Sequence, residues 1–179
     1  MLNKQSYRDL VREIALDNFG FVTTSAALKA GVPGVELPKL ASRGGLENVA
    51  YGLYRVTDVP STRFDQLAEA LLRVGNDAYL FGETVLALFG LADLNPRTIK
   101  VAVHKRTRPQ LPTHIELIHV SGESMTALYE GLRSQTVAEA ILECRGRVES
   151  ARLTQAAQQA RAQGLLTTEE FTNVMKALH

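Results

Sequence analysis

The chain of 179 residues lacks most of the features by which a function is quickly assigned. Its one cysteine, Cys144, excludes an internal disulfide and a multi-cysteine zinc site. That residue lies in the apolar run AEAILEC, where a free thiol behaves as a small hydrophobe, so it reads as core filler rather than a reactive group. Long apolar runs are missing too. The longest outside glycine is VLALF, far below the roughly 20 residues that span a bilayer. The start MLNKQSYRDL is polar from its third residue and holds no signal-peptide core. A cytoplasmic protein without a membrane partner is expected. Charge of one sign is also scarce: 20 Lys and Arg stand against 19 Asp and Glu, a net +1. Bulk charge therefore draws no polyanion, and any binding surface must come from local clustering.

Several catalytic signatures are absent. No glycine-rich loop ends in lysine followed by Ser or Thr, which excludes a Walker-type phosphate loop. There is no Asp-x-Asp pair, no lysine with an acid two positions before it, and no Gly-x-Ser-x-Gly elbow. His114 and His119 are five apart in one expected strand, an odd offset that sends them to opposite faces, so they do not share a metal. No catalytic residue, metal ligand or cofactor is expected.

What is present is ordinary globular material, 45% hydrophobic and 22% charged, enough for one or two domains. Between Ser6 and Asn18, Leu10, Val11, Ile14 and Phe19 recur at helical spacing, and Ser6 three residues before Asp9 resembles a capping signal. Gly20 stops that helix. Thr24 or Ser25 suits the N-cap of a short alanine-rich helix that ends at Gly31. A third helix is expected over about Val35 to Arg43, with Pro38 tolerable only in its first turn. LENV and LYRV then form a hairpin closed by Ala50-Tyr51-Gly52, where glycine supplies a positive φ. DVPST at 58–62 is the clearest linker, so the expected domains are 1–58 and 59–179. In the second, a helix capped by Ser61 or Thr62 presents Phe64, Leu67, Ala68, Leu71 and Leu72. The stretch YLFGETVLALFGLADL reads as a short buried helix between glycines, and IKVAV and HIELIHV read as strands. Three helices close the chain from Thr136, the last starting near Thr167 or Thr168.

Helix, helix, helix, hairpin is the order of a winged helix-turn-helix, whose third helix enters the DNA major groove. In the third helix, Leu37, Leu40 and Ala41 face inward, whereas Glu36, Lys39 and Arg43 recur at i, i+3 and i+7 on the other side. Lys39 and Arg43 suit phosphate or guanine, and Glu36 suits a cytosine amine. Thr24, Ser25 and Lys29 of the second helix are placed to hold the DNA backbone. In the hairpin, Asn48, Tyr51 and Arg55 can touch sugar and phosphate, while Leu46, Val49, Leu53 and Val56 anchor it. Against this stands the plainer reading of a solvated helix face, which any surface helix shows. A second basic segment runs from Arg97 to Arg108: Arg97, Lys100, Lys105, Arg106 and Arg108, with His104 and no acid. It suits nucleic acid or an acidic partner, or is simply an exposed loop kept soluble by charge.

The stretch FVTTSAALKAGVPGVELPKLASRGGLENVAYGLYRV resembles the winged helix-turn-helix of AbiEi-type antitoxins of bacterial type IV toxin–antitoxin systems. AYLFGETVLALFGL followed by IKVAV is similar to the start of that family's C-terminal domain, and TVAEAILEC through QGLLTTEEF fits its end. The implied fold is α+β: an N-terminal winged helix-turn-helix, then a mixed α/β C-terminal domain ending in helices. The implied role is to repress the chain's own operon by binding inverted-repeat operator DNA, and to counteract a nucleotidyltransferase-like toxin that it need not touch. Inverted repeats leave room for a homo-oligomer on the DNA. By position, the resemblance puts Thr24, Ser25, Lys39, Ser42, Arg43, Tyr51 and Arg55 on the DNA face. Tyr51 stands where a basic residue is common in the family, and Pro38 where a polar one is.

Two other readings compete. In one, the chain is an adaptor that neutralises a toxin by direct contact through the Arg97–Arg108 segment, with the winged helix a scaffold. In the other it is a nuclease or transferase, which the missing carboxylate patterns disfavour.

Overall fold

The structure, a computed structural model, describes residues 6–178; residues 1–5, part of the polar start discussed above, lie outside the described residues. The class is mixed α+β, and the chain forms two compact units, one ending at Arg73 and the other beginning at Val74. No described helix is long and apolar enough to cross a membrane.

In the first unit, α1 spans Tyr7–Leu16 and starts on a full capping box, with Ser6 and Asp9 each satisfying the other's backbone. Strand β1, Phe21–Thr23, has no counterpart among the sequence expectations. Helix α2 is Thr24–Lys29, and its N-cap is Thr23, not Thr24 or Ser25: the Thr23 hydroxyl accepts from the Ala26 N–H at 3.0 Å. Helix α3 is Glu36–Ser42. Pro38 is its third residue, where the missing N–H would have had no intrahelical partner, so the helix carries it without a kink.

Strands β2, Leu46–Ala50, and β3, Leu53–Val56, form the expected hairpin. Their register shifts between Asn48 and Ala50, and Gly52 takes φ +65°, the left-handed residue of a bulged connection. β1 pairs antiparallel with β3, giving the order β1-β3-β2. One core joins these elements: Val11, Ala15, Ala27, Leu37, Leu46 and Tyr54 are buried, with Leu40 and Ala41 packed against them. Of the expected hairpin anchors, Leu46, Leu53 and Val56 are buried and Val49 is half-buried.

Helix α4, Asp65–Val74, was expected to open the second domain, yet the break between the units falls at its end. Its residues are tied back to the hairpin: Arg73 donates to the Val49 carbonyl at 2.6 Å, and Asp65 pairs with Arg55 at 3.1 Å. Phe64 meets Phe19 edge-on at 6.1 Å.

The second unit is built on a five-stranded sheet of order β6-β5-β4-β8-β7. Its strands are β4, Tyr79–Leu80; β5, Ile99–Val103; β6, Ile115–His119; β7, Thr126–Tyr129; and β8, Leu132–Gln135. β5 and β6 are the two strands expected from alternation, and they run parallel. The β7–β8 hairpin, not expected, turns at Glu130 and Gly131, both with positive φ. Helices α5 (Glu83–Leu88), α6 (Val137–Glu143), α7 (Ser150–Ala162) and α8 (Thr168–Leu178) complete the unit. On α7, Ala156, Ala157 and Ala160 are fully buried, so small side chains line its contact face. Its Arg152 donates to the carbonyls of Ala92 and Asp93, and its Gln159 accepts the Ala92 N–H. These bonds hold Ala92 and Asp93 at left-handed φ of 53° and 48°, a conformation that costs of order 1–3 kcal/mol at each non-glycine residue.

Candidate nucleic-acid interface

Three pieces of the first unit carry the residues expected to meet DNA. On α3 and its C-cap, Lys39, Ser42 and Arg43 are exposed. Lys39 Nζ lies 2.9 Å from Glu36 Oε1, an exposed i,i+3 pair that water screens to well under about 1 kcal/mol. Ser42 Oγ donates back to the Lys39 carbonyl at 2.8 Å. Arg43 has no ion pair or side-chain hydrogen bond among the described residues. On α2, Ser25 and Lys29 are exposed and equally unpaired. At the hairpin, Asn48 is exposed, with Nδ2 donating to the Ala50 carbonyl at 3.1 Å, and Tyr51 is fully exposed at the tip.

Two of the expected contacts have other occupations. Thr24 is half-buried, and both its N–H and its hydroxyl donate to the Gly52 carbonyl, at 2.8 and 3.3 Å. A Cβ at Gly52 would come 3.3 Å from Thr24 Oγ1, and one at Gly34 would come 3.6 Å from its methyl. Thr24 thus joins the α2–α3 turn to the hairpin tip, and two glycines let it do so. It sets the spacing between the helix and hairpin surfaces instead of offering its hydroxyl outward.

Arg55 departs further from expectation. Its side chain is only 18% exposed. It donates to the carbonyls of Phe19 (2.9 Å) and Val59 (3.2 Å) and to Ser61 Oγ (3.0 Å). It also pairs with Asp65 and lies 5.3 Å from the ring centre of Phe21, its cross-strand neighbour. A Cβ at Gly20 would collide with this guanidinium, so glycine there leaves its channel open. Arg55 is a staple of the first unit, with its guanidinium turned to carbonyls, a hydroxyl and a carboxylate of that unit.

One exposed residue of α3 escaped the sequence reading. Val35, the N-cap, is 63% exposed and makes no cap bond with its side chain. Its signal was available: position 35 is four and seven residues before Lys39 and Ser42, so it shares their stripe.

In the second unit the basic segment splits. Arg97, Lys105, Arg106 and Arg108 are exposed and have no ion pair or hydrogen bond from their side chains among the described residues. Lys100 is withdrawn: its ammonium and the Glu83 carboxylate, each 15% exposed, form a close pair. Burial pushes the Glu83 carboxyl up, but the hydrogen bond and charge of Lys100 together outweigh it, leaving the group below its ordinary value. His104 lies 5.5 Å from the Tyr79 ring, and His119 Nε2 is 3.1 Å from the Thr107 carbonyl. His114 precedes β6 and His119 ends it. Among the described residues no group of three or more His, Cys, Asp or Glu side chains could hold a metal. Cys144 is fully buried, and burial pushes its thiol up to about 12.

No family model matches the chain, and no curated protein does. Among solved structures the chain is similar to the crystal structure of the RV2827C protein from Mycobacterium tuberculosis. The identity is 15% and the TM-score 0.50, over 98% of this chain and 82% of that one. At that identity the likeness concerns the fold alone.

Proposed function

We propose that the chain is a DNA-binding repressor of the AbiEi antitoxin type that its sequence resembles, with the first unit a winged helix-turn-helix. On this reading it acts in the cytoplasm on inverted-repeat operator DNA of its own operon and counteracts a nucleotidyltransferase-like toxin. The observation that carries the reading is the outward stripe of α3 and its C-cap, where Lys39, Ser42 and Arg43 are all exposed, in a unit whose hairpin tip also exposes Tyr51. A third helix with cations outward and Leu37 inward suits the major groove, and an exposed hairpin tip suits the adjoining backbone. Ser25 and Lys29 lie one helix earlier, where phosphate contacts of such modules come from.

The test is salt-dependent binding of duplex DNA from immediately upstream of the chain's own reading frame. Each phosphate neutralised contributes about 0.9 to the slope of log affinity against log salt. Lys39→Ala with Arg43→Ala lowers that slope by about 2 if both are phosphate contacts, and leaves the unfolding midpoint unchanged because both side chains are exposed. A double variant that binds as tightly as the parent, with the same slope, refutes the assignment.

The adaptor reading keeps one supporting observation: the four unpaired cations Arg97, Lys105, Arg106 and Arg108 of the second unit. It calls for a stable complex with an acidic protein partner that survives purification and is lost when these four are changed to Ala.

A further inference from the structure

The reading of α3 as a groove-entering helix leaves Val35 unexplained. The other members of its stripe, Lys39 and Ser42, are polar and at ease in water. Val35 holds a β-branched apolar side chain 63% exposed at the N-cap, with helical φ and ψ of −71° and −15° and no cap bond. The chain thus leaves most of an isopropyl group in water at this residue.

A Cβ at Gly34, just before Val35, would meet the Thr24 methyl at 3.6 Å and Leu28 at 4.0 Å. Thr24 is bonded in turn to Gly52 at the hairpin tip. Val35 therefore follows the glycine nearest this junction, at the start of the helix whose residues meet base edges in helix-turn-helix modules. Phosphates, sugars and most base edges in the major groove offer nothing to an isopropyl group. The C5-methyl of thymine is the apolar exception.

We infer that Val35 packs against the C5-methyl of a thymine, which makes one T·A pair per bound copy a specificity position. The inference rests on the DNA-binding reading and goes beyond it by naming a base and the group of it that is read. It differs from the phosphate contacts of Lys39 and Arg43 in carrying sequence information and no salt dependence.

The experiment uses the full chain and duplexes selected by it from a random-sequence library, with each thymine of the selected site replaced singly by deoxyuridine. That replacement removes the methyl and leaves the hydrogen-bonding edge intact. The parent is expected to lose about fourfold in affinity at one position per half-site, the value of one buried methyl group. Val35→Ala is expected to bind the thymine duplex about fourfold more weakly and to show no deoxyuridine effect at that position, with its salt slope unchanged. Alanine is well tolerated in a first helical turn, and a thermal melt by circular dichroism checks that the variant folds. If methyl removal leaves the parent unchanged at every position, or weakens parent and Val35→Ala equally, the inference is overturned while the DNA-binding reading stands. If the library yields no selected sequence, both fall together.

Discussion

Removing the Arg55 side chain tests whether this arginine holds the first unit together or serves DNA. In Arg55→Met the apolar stem is kept and the guanidinium is lost. The carbonyls of Phe19 and Val59 then lose charged donors at 2.9 and 3.2 Å, and Asp65, 15% exposed, loses its cation at 3.1 Å. A hydrogen bond from a charged donor contributes about 1.5–3 kcal/mol, and removing one partner of a buried pair costs about 3–5 kcal/mol. These terms share one guanidinium and do not add. Asp65 also keeps the Thr62 N–H and hydroxyl, at 2.9 and 2.7 Å, so it is not left bare and the lower end applies. The expected loss is about 3 kcal/mol, a large part of the roughly 4–10 kcal/mol that stabilises a unit of this size. The chain has no tryptophan, so urea unfolding is followed by far-UV circular dichroism, with the m-value checked for constancy. A loss below about 1 kcal/mol, together with a DNA salt slope reduced by about 1, would make Arg55 a phosphate ligand and refute the staple.

Two more predictions concern the second unit. Glu83 has a lowered folded-state value, so its contribution to stability is present above the ordinary 4.5 and is lost as the pH falls through the lower folded value. Glu83→Gln should therefore unfold more easily at pH 7, with the gap to the parent closing in acid; a pH-independent gap would mean that the Lys100 pair is not what is lost. Cys144, fully buried with its thiol pushed up to about 12, should resist a thiol-exchange reagent at pH 8 in the folded chain and react in urea. Rapid labelling without denaturant would contradict its place in the core.

The sequence carries much of the local structure because the responsible interactions lie a few residues apart. Ser6 and Asp9 close a capping box three positions apart, and α1 starts there. The same motif, Thr167 with Glu170, opens α8, where both groups bond each other's backbone. Leu37, Leu40 and Ala41 announce the inward face of α3, and the alternation of IKVAV marks β5. The exposed α3 residues, Lys39, Ser42 and Arg43, follow from the same periodicity.

The missed elements depend on distant partners. β4 has two residues, too few for any pattern, and is a strand because β5 and β8 flank it. β7 shows no buried alternation, since Thr126, Ala127 and Leu128 are all exposed at the sheet edge. β1 is three residues long and is recruited by β3. Side-chain roles followed the same division. Arg55 and Lys100 look like exposed cations because their positions alternate with buried ones. Asp65 and Glu83, ten and seventeen residues away along the chain, turn them inward. Thr24 looks like a free hydroxyl until the hairpin tip, 28 residues on, takes it. The sequence by itself determined where α1 and α8 begin, which face α3 buries and which cations can gather along it. Only the tertiary structure decided which of those charges and hydroxyls remain available, because an ion pair or hydrogen bond between distant segments exists only after the chain has brought them together.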